Sequence, residues 1–164
     1  MPFTPYHFGP CACVAIPLRR HIDLPVLLLT NVVVDVEPLT IEVLRLPLLA
    51  HGLLHSFAVS TFLGLGLAAV CWRGRRGLAR AMRAVRYPYE TSALKMLMSA
   101  VGGMWLHVLI DAPLYTDIRP FLPSMLNPLY GLYTYDTAAL LCALCYIPAL
   151  WLYLRCRTPK NPRS

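Results

Sequence analysis

Long apolar runs separated by short charged segments dominate the chain. Residues 47–72 and 137–154 contain no Asp, Glu, Lys or Arg, and residues 91–112 contain only two such residues. A helix that spans a bilayer needs roughly 17–25 predominantly apolar residues. The pattern therefore predicts three spanning helices, with residues 113–135 as the loop between the last two.

Two shorter apolar runs precede them, at residues 8–18 and 24–37, on either side of a pair of arginines. The first run is too short to span a bilayer. The second is predicted to end at Pro38, because the residue before a proline disfavours the helical conformation. We expect the two runs to form a helical hairpin whose arms, each about 15–20 Å long, cross half of the membrane. Residues 39–46 would then be a short amphipathic connection.

The composition supports a membrane-embedded fold. Hydrophobic residues make up 57% of the 164 residues, and charged residues only 14%. A soluble domain of this length could not bury that much apolar surface, so the bilayer is its natural solvent. We therefore predict an all-α membrane protein that forms a single integral membrane domain over residues 1–164.

Positive charge is concentrated between and after the apolar runs. The net charge is +7, which by itself could indicate a nucleic-acid partner. Because the basic residues flank apolar segments, the positive-inside rule explains them better, and no nucleic-acid partner is expected. Residues 73–90, whose six arginines fall within 73–86, are predicted to form an amphipathic segment on anionic lipid headgroups of the cytoplasmic face. The same rule places the C-terminus in the cytoplasm. Four basic residues follow the last helix: Arg155, Arg157, Lys160 and Arg163.

Two pairs of polar residues with the same spacing lie inside the apolar runs. One is His51-Gly-Leu-Leu-His55, and the other is His107-Val-Leu-Ile-Asp111. On a helix, residues four positions apart lie on one face. Ionisable residues within a membrane are costly and are candidates for function by default. The two pairs could therefore converge on a metal ion.

The predicted topology brings both pairs to a similar depth. If the arginine-rich segment is cytoplasmic, the helix before it starts on the far side and the helix after it ends there. Both pairs then lie about 22–30 Å from the basic surface. The hairpin arms point their upper ends to the same side, with His7 on one arm and with Asp35 and Glu37 on the other.

A shared metal ion explains this common depth. A single His in an apolar helix usually forms a hydrogen bond between helices, but that explanation must be repeated for each residue and predicts no common depth. Neutral imidazole and carboxylate are ligands for Zn²⁺ and for other divalent transition ions. We predict a site for one or two divalent ions, with zinc as the first choice. The expected ligands are His7, Asp35, His51, His55, His107 and Asp111.

Such a site would suit hydrolysis. A divalent ion with an open coordination position lowers the pKa of bound water to about 7 and so generates a nucleophile. The location favours a membrane lipid or a lipid-linked phosphoester as the substrate. Asp35 and Glu37 are candidate general bases, although Glu37 could instead be a ligand or a helix-capping carboxylate.

Asp117 and Arg119 in the following loop are candidates for substrate binding. The guanidinium group of Arg119 could contact a substrate phosphate, since its geometry suits that anion. Alternatively, the two residues pair with each other as a structural clamp.

Two further functions remain open at this point. The same ligands could serve a metal-binding or transport protein without enzymatic activity. The protein could also be a membrane scaffold in which His and Asp residues only join helices. Metal content separates the scaffold from the other two, and a polar path across the whole bilayer would favour transport.

The chain resembles the YdjM/YbcI-like family of bacterial inner-membrane metal-dependent hydrolases. The resemblance rests on four motifs: MPFTPYHFGP at residues 1–10, NVVVDVEPL at 31–39, HGLLHS at 51–56 and HVLIDAPLYTDIRPF at 107–121. It implies an α-helical protein of the bacterial inner membrane with a metal-dependent hydrolase site, and it assigns metal ligation to the same six residues. Gly52 and Leu54 stand where the family often carries Arg and Thr.

Overall fold

The computed structural model of the protein describes residues 5–47 and 51–157. Within these ranges, helices are the regular secondary structure. The helices are α1 (Pro5–Ala15), α2 (Leu24–Val43), α3 (Phe57–Ala84), α4 (Ala93–Asp111), α5 (Tyr135–Leu144) and α6 (Tyr146–Cys156), with a short 3₁₀ turn at Leu53–His55 before α3.

Four helical stretches are long and apolar enough to cross a membrane: α2, α3, α4, and α5 together with α6. Their length and composition confirm the prediction of an all-α, multi-pass membrane protein. The fourth stretch, α2, is the second arm of the predicted half-membrane hairpin. With 20 residues it is about 30 Å long, compared with about 15–20 Å expected for that arm, so it can cross the whole membrane.

The predicted end of α2 at Pro38 is wrong, because the helix continues through this residue to Val43. A proline inside a helix removes one hydrogen bond and costs about 3 kcal/mol in a soluble helix. Here Pro38 is buried against the rest of the fold, and Thr40 Oγ1 donates a hydrogen bond to the Val36 carbonyl one turn below. Residues 39–43 are therefore the last turn of α2 rather than part of a separate connection.

The boundaries of α3 also differ from the prediction. The helix begins at Phe57, where the Ser56 side chain caps it by accepting a hydrogen bond from the Val59 N–H at 3.3 Å. It then runs without interruption to Ala84. Arginine is a good helix former and no proline intervenes, so the arginine-rich stretch continues the spanning helix instead of forming a separate segment.

The last spanning stretch is divided at Cys145 into α5 and α6. Pro148 lies in the first turn of α6 and has no N–H to donate to the carbonyl of Leu144. Leu144 is the last residue of α5, so the break falls where this hydrogen bond is missing. The predicted helix over 137–154 is thus present as two nearly continuous pieces.

The helices have two distinct ends, which we call the basic end and the cluster end. The Asp23 N–H before α2 donates to Ser99 Oγ near the start of α4 at 2.7 Å, so α2 and α4 start together at the basic end. Here α3 also ends, and the Tyr153 hydroxyl of α6 donates to the Val85 carbonyl. The cluster end carries the ends of α2 and α4 and the start of α3. Lys160 and Arg163 of the predicted basic tail lie outside the described residues.

Small residues allow α2 and α4 to pack closely. Gly103 of α4 faces α2: an added Cβ atom would lie against Thr30 Oγ1 and 2.8 Å from Leu27 Cδ1. Ser99, one turn earlier, is also buried. The neighbouring Gly102 faces away from α2, since no heavy atom lies within 4 Å of a Cβ atom added there.

We predict opposite effects of the same substitution at these neighbouring glycines. Gly103→Ala should force α2 and α4 apart and destabilise the protein by about 1–3 kcal/mol, as overpacking does. Gly102→Ala is the control, which should be neutral or stabilising by up to about 1 kcal/mol because alanine favours the helix. Thermal unfolding of both variants in detergent measures the difference. Equal shifts in the two midpoints would contradict the close α2–α4 packing.

Candidate metal centre

Three separate segments bring ionisable side chains together at the cluster end. His107 and Asp111 lie one turn apart on α4, Asp35 lies on α2, and His55 lies on the 3₁₀ turn before α3. Each of the four offers one ligand atom, and these atoms all lie within 4.8 Å of one another. The side chains of His55, His107 and Asp111 are buried, and Asp35 is 16% exposed.

Asp111 occupies the centre of this cluster. Its Oδ2 atom lies 3.2 Å from Nε2 of His107 and 3.9 Å from Nε2 of His55. Its Oδ1 atom lies 3.4 Å from Nε2 of His7, which α1 contributes as a fifth member. Asp35 Oδ1 in turn lies 3.3 Å from His107 Nε2. The cluster therefore joins α1, α2, the 3₁₀ turn and α4.

Many polar atoms of the cluster have no hydrogen-bond partner, although they are fully buried. The atoms concerned are both ring nitrogens of His7 and of His55, Nε2 of His107 and Oδ1 of Asp111. A buried polar atom without a partner costs about 1–3 kcal/mol, so six of them in one place require an explanation. Since these atoms include lone-pair donors that lie close together, a divalent cation could satisfy several of them together.

The distances within the cluster suit a metal ion. Bonds of about 2.0–2.1 Å arranged tetrahedrally place neighbouring ligand atoms about 3.3 Å apart. Three of the measured nitrogen–oxygen distances, from 3.2 to 3.4 Å, lie close to this value. These distances lie at or beyond the upper end of the hydrogen-bond range. The nitrogen and oxygen atoms concerned are therefore near one another without forming good hydrogen bonds. The separations among the four candidate ligand atoms extend to 4.8 Å, so these side chains would have to move closer together to enclose a divalent ion.

Asn31 orients one of the histidines. Its side-chain nitrogen donates to the Leu27 carbonyl at 3.1 Å, and its Oδ1 atom lies 3.2 Å from His107 Nδ1. The Asn31 oxygen can only accept, so His107 carries its proton on Nδ1 and presents the Nε2 lone pair to the cluster. The sequence analysis missed Asn31, although its position four residues before Asp35 on α2 was a usable signal.

Glu37 holds the turn that carries His55. Its two carboxylate oxygens accept hydrogen bonds from the N–H groups of Leu53 and Leu54, at 3.1 and 3.0 Å. Its Oε2 atom lies 3.8 Å from His55 Nδ1. Of the roles considered from the sequence, this geometry matches the capping carboxylate, here for the 3₁₀ turn rather than for the helix on which Glu37 lies.

Gly52 makes this close approach possible. A Cβ atom at this position would lie 2.6 Å from Glu37 Oε1. Because any side chain here would push the carboxylate away, the glycine allows Glu37 to reach the 3₁₀ turn. Gly52 therefore has a structural role at this position.

His51 lies one layer outside the cluster. Its backbone N–H and its Nδ1 atom both face the Asp117 carboxylate, at 3.0 and 3.1 Å, and its ring stacks on Tyr115 at 4.0 Å. The rings of His51 and His55 are 4.8 Å apart. Burial, reinforced by His55, lowers the pKa of His51 below its ordinary value despite the opposing effect of Asp117, so the ring is neutral near pH 7.

The two predicted pairs of polar residues both lie at the cluster end, but only one of them lies on a helix. His107 and Asp111 share a face of α4 as predicted, but His51 and His55 precede α3, so the predicted helical spacing is wrong for them. The clamp considered between Asp117 and Arg119 is replaced by other contacts. Asp117 binds His51, and Arg119 Nη1 lies 2.9 Å from the sulfur of Met125.

The fold and the cluster define the class: a multi-pass α-helical membrane protein with a buried His/Asp group that could bind a divalent metal ion. Comparison with known proteins adds no family to this description. No family model matches the chain, and no match to a curated protein or to a solved structure was found.

We predict that Gly52→Ala weakens metal binding about tenfold, because the displaced Glu37 no longer fixes the turn that carries His55. Zinc titration against a chelating dye measures the affinity. Gly66→Ala on α3 is the matched control, since nothing lies within 4 Å of its would-be Cβ. Unchanged zinc affinity in a folded Gly52→Ala protein would show that Glu37 does not position the cluster.

Proposed function

We propose that the protein is a membrane-embedded, metal-dependent hydrolase that acts on a phospholipid or a lipid-linked phosphoester. The observation that carries this proposal is the buried cluster of imidazoles and carboxylates around Asp111, in which six buried atoms of His7, His55, His107 and Asp111 lack hydrogen-bond partners. The resemblance to the YdjM/YbcI-like family favours the same class. We extend the proposal to a bacterial inner membrane, with the C-terminus and the basic half of α3 on the cytoplasmic side.

Four residues would hold the metal ion: Asp35, His55, His107 and Asp111. His7 is close enough to complete the coordination or to join a second ion. Two or three imidazoles with carboxylates suit Zn²⁺ among the divalent ions. Such an ion would supply Lewis acidity, which makes water a nucleophile near neutral pH.

Asp35 is the best candidate for the general base in this proposal. It is 16% exposed, whereas Asp111 is 3% exposed, so Asp35 is the cluster carboxylate that water can reach. Glu37 is also partly exposed, but both of its oxygens are occupied by backbone N–H groups. Glu37 and Asn31 therefore act as positioning residues for His55 and His107.

A lipid substrate is favoured by the surroundings of the cluster. A narrow gap between α1, α4 and α5 opens beside His7 and Asp111, and its other walls are apolar or aromatic, including Tyr6, Leu114 and Tyr135. The gap has a volume of about 10 Å³, so α5 would have to move away from α1 and α4 before the polar part of a lipid could reach the cluster. Arg119, on the loop after α4, is the candidate for contact with a substrate phosphate.

Metal binding without catalysis is the alternative, and transport is its most specific form. A transporter would need a polar path from the cluster end to the basic end. An apolar core cluster instead fills the α2–α4 interface between the two ends, with Val26, Met96 and Ala100 fully buried. This layer favours a site that opens towards one side of the membrane.

We expect purified protein in mixed micelles to release the headgroup of a phospholipid or lipid phosphate when zinc is present. A chelator should abolish this activity, and zinc should restore it. Asp111→Asn should lower the activity by about 100-fold or more, because even residues behind a ligand contribute about 10–100-fold. His21→Gln is the control, since His21 is an exposed histidine at the basic end.

The metal content of the same samples separates the alternatives. Bound metal without hydrolysis of any substrate in the panel would favour a metal-binding protein. Protein that retains no divalent metal and hydrolyses no substrate in the panel would favour a scaffold.

A further inference from the structure

A second polar site lies at the basic end of the bundle. It is a cavity of about 670 Å³ between the α1–α2 connection and the segment that joins α3 to α4. Its charged lining residues are Arg19, Arg20, Glu90 and Lys95. Three cationic groups against one carboxylate give the cavity a net positive lining, which favours an anionic ligand.

Lys95 connects the two walls of the cavity. Its ammonium group donates to the carbonyl of Arg19 on one wall at 2.6 Å and to the carbonyl of Glu90 on the other. An ammonium group has three protons, so one remains for a ligand. The side chains of Arg19 and Arg20 are exposed at the mouth of the cavity. The Lys95 ammonium group is thus held in place between the two walls, with the two arginines beside it at the mouth.

Asp23 fixes the segment that forms the second wall. This buried carboxylate accepts hydrogen bonds from the Tyr89 hydroxyl at 2.9 Å and from the Thr91 hydroxyl. The Asp23 N–H donates to Ser99 of α4. Tyr89 and Thr91 both line the cavity, so their hydrogen bonds with Asp23 fix the shape of this wall.

The cavity is remote from the metal centre. Lys95 and Asp111 are separated by 16 residues of α4, which corresponds to about 24 Å. A ligand in the cavity therefore cannot also present a reacting bond to the metal cluster unless it spans most of the membrane. The two sites also differ in chemistry, since one gathers ligands for a cation and the other gathers cationic groups.

We propose that this cavity binds a phosphate group, supplied either by an anionic phospholipid headgroup of the adjacent leaflet or by a free phosphate. Guanidinium groups bind phosphate oxygens in pairs, and an ammonium group adds a point charge. At the membrane surface, each basic residue near anionic lipid adds to the electrostatic attraction. The proposal does not depend on hydrolytic activity at the cluster end.

The test compares two double variants that lose the same charge. Arg19→Gln/Arg20→Gln removes the guanidinium groups of the cavity and leaves the backbone carbonyl that Lys95 uses. Arg155→Gln/Arg157→Gln removes two exposed arginines at the end of α6, outside the cavity. The probes are inorganic phosphate and short-chain phosphatidylglycerol, titrated into full-length protein in neutral detergent, with thermal unfolding as a check on folding.

We expect wild-type protein to bind at least one probe saturably, the cavity variant to bind it at least tenfold more weakly, and the control variant to change less than twofold. Phosphatidylglycerol that binds at least tenfold more tightly than phosphate would identify the lipid as the source. Comparable affinities would identify free phosphate. The proposal is overturned if wild-type protein binds neither probe, or if both double variants lose affinity equally.

Discussion

Asp111 places a carboxylate in the interior of a membrane protein, where each of its oxygens faces imidazole nitrogens rather than water. Such a group is costly to bury unless positive charge compensates it. The arrangement of the surrounding segments is explained by this requirement. α1 brings His7, α2 brings Asp35 and the 3₁₀ turn brings His55 to the same point. One divalent ion would satisfy these groups together and would cross-link the segments that carry them.

The fold separates this centre from the basic end. The close packing of α2 on α4 at Gly103 sets the helices side by side, and apolar side chains fill the space between the two ends. The packed pair of α2 and α4 supports the residues that position the cluster side chains. Asn31 orients the His107 ring by a hydrogen bond, and Glu37 holds the 3₁₀ turn that carries His55. Gly52 allows the Glu37 contact because it has no side chain. Among the described residues, the metal-ligating cluster and the cavity at the basic end are thereby held about 24 Å apart along α4.

Much of this could be predicted from the sequence, because apolar run length and charge distribution report directly on membrane helices. The helical face shared by His107 and Asp111 was predictable for the same reason, as local spacing determines it. Long-range packing decided the rest. Burial kept Pro38 inside α2, and the contact of Glu37 with the 3₁₀ turn brought His55 to the cluster without the helical spacing expected of it. Neither contact leaves a periodic signal in the chain.

X-ray absorption spectroscopy at the zinc edge of zinc-loaded protein tests the central claim most directly. The account predicts four or five nitrogen and oxygen neighbours at about 2.0–2.1 Å, together with the outer-shell scattering of two or three imidazole rings. In Asp111→Asn protein, zinc occupancy or this pattern should be lost. A shell of water oxygens without imidazole scattering, or a shell that contains sulfur, would contradict a metal centre built from these histidines and carboxylates.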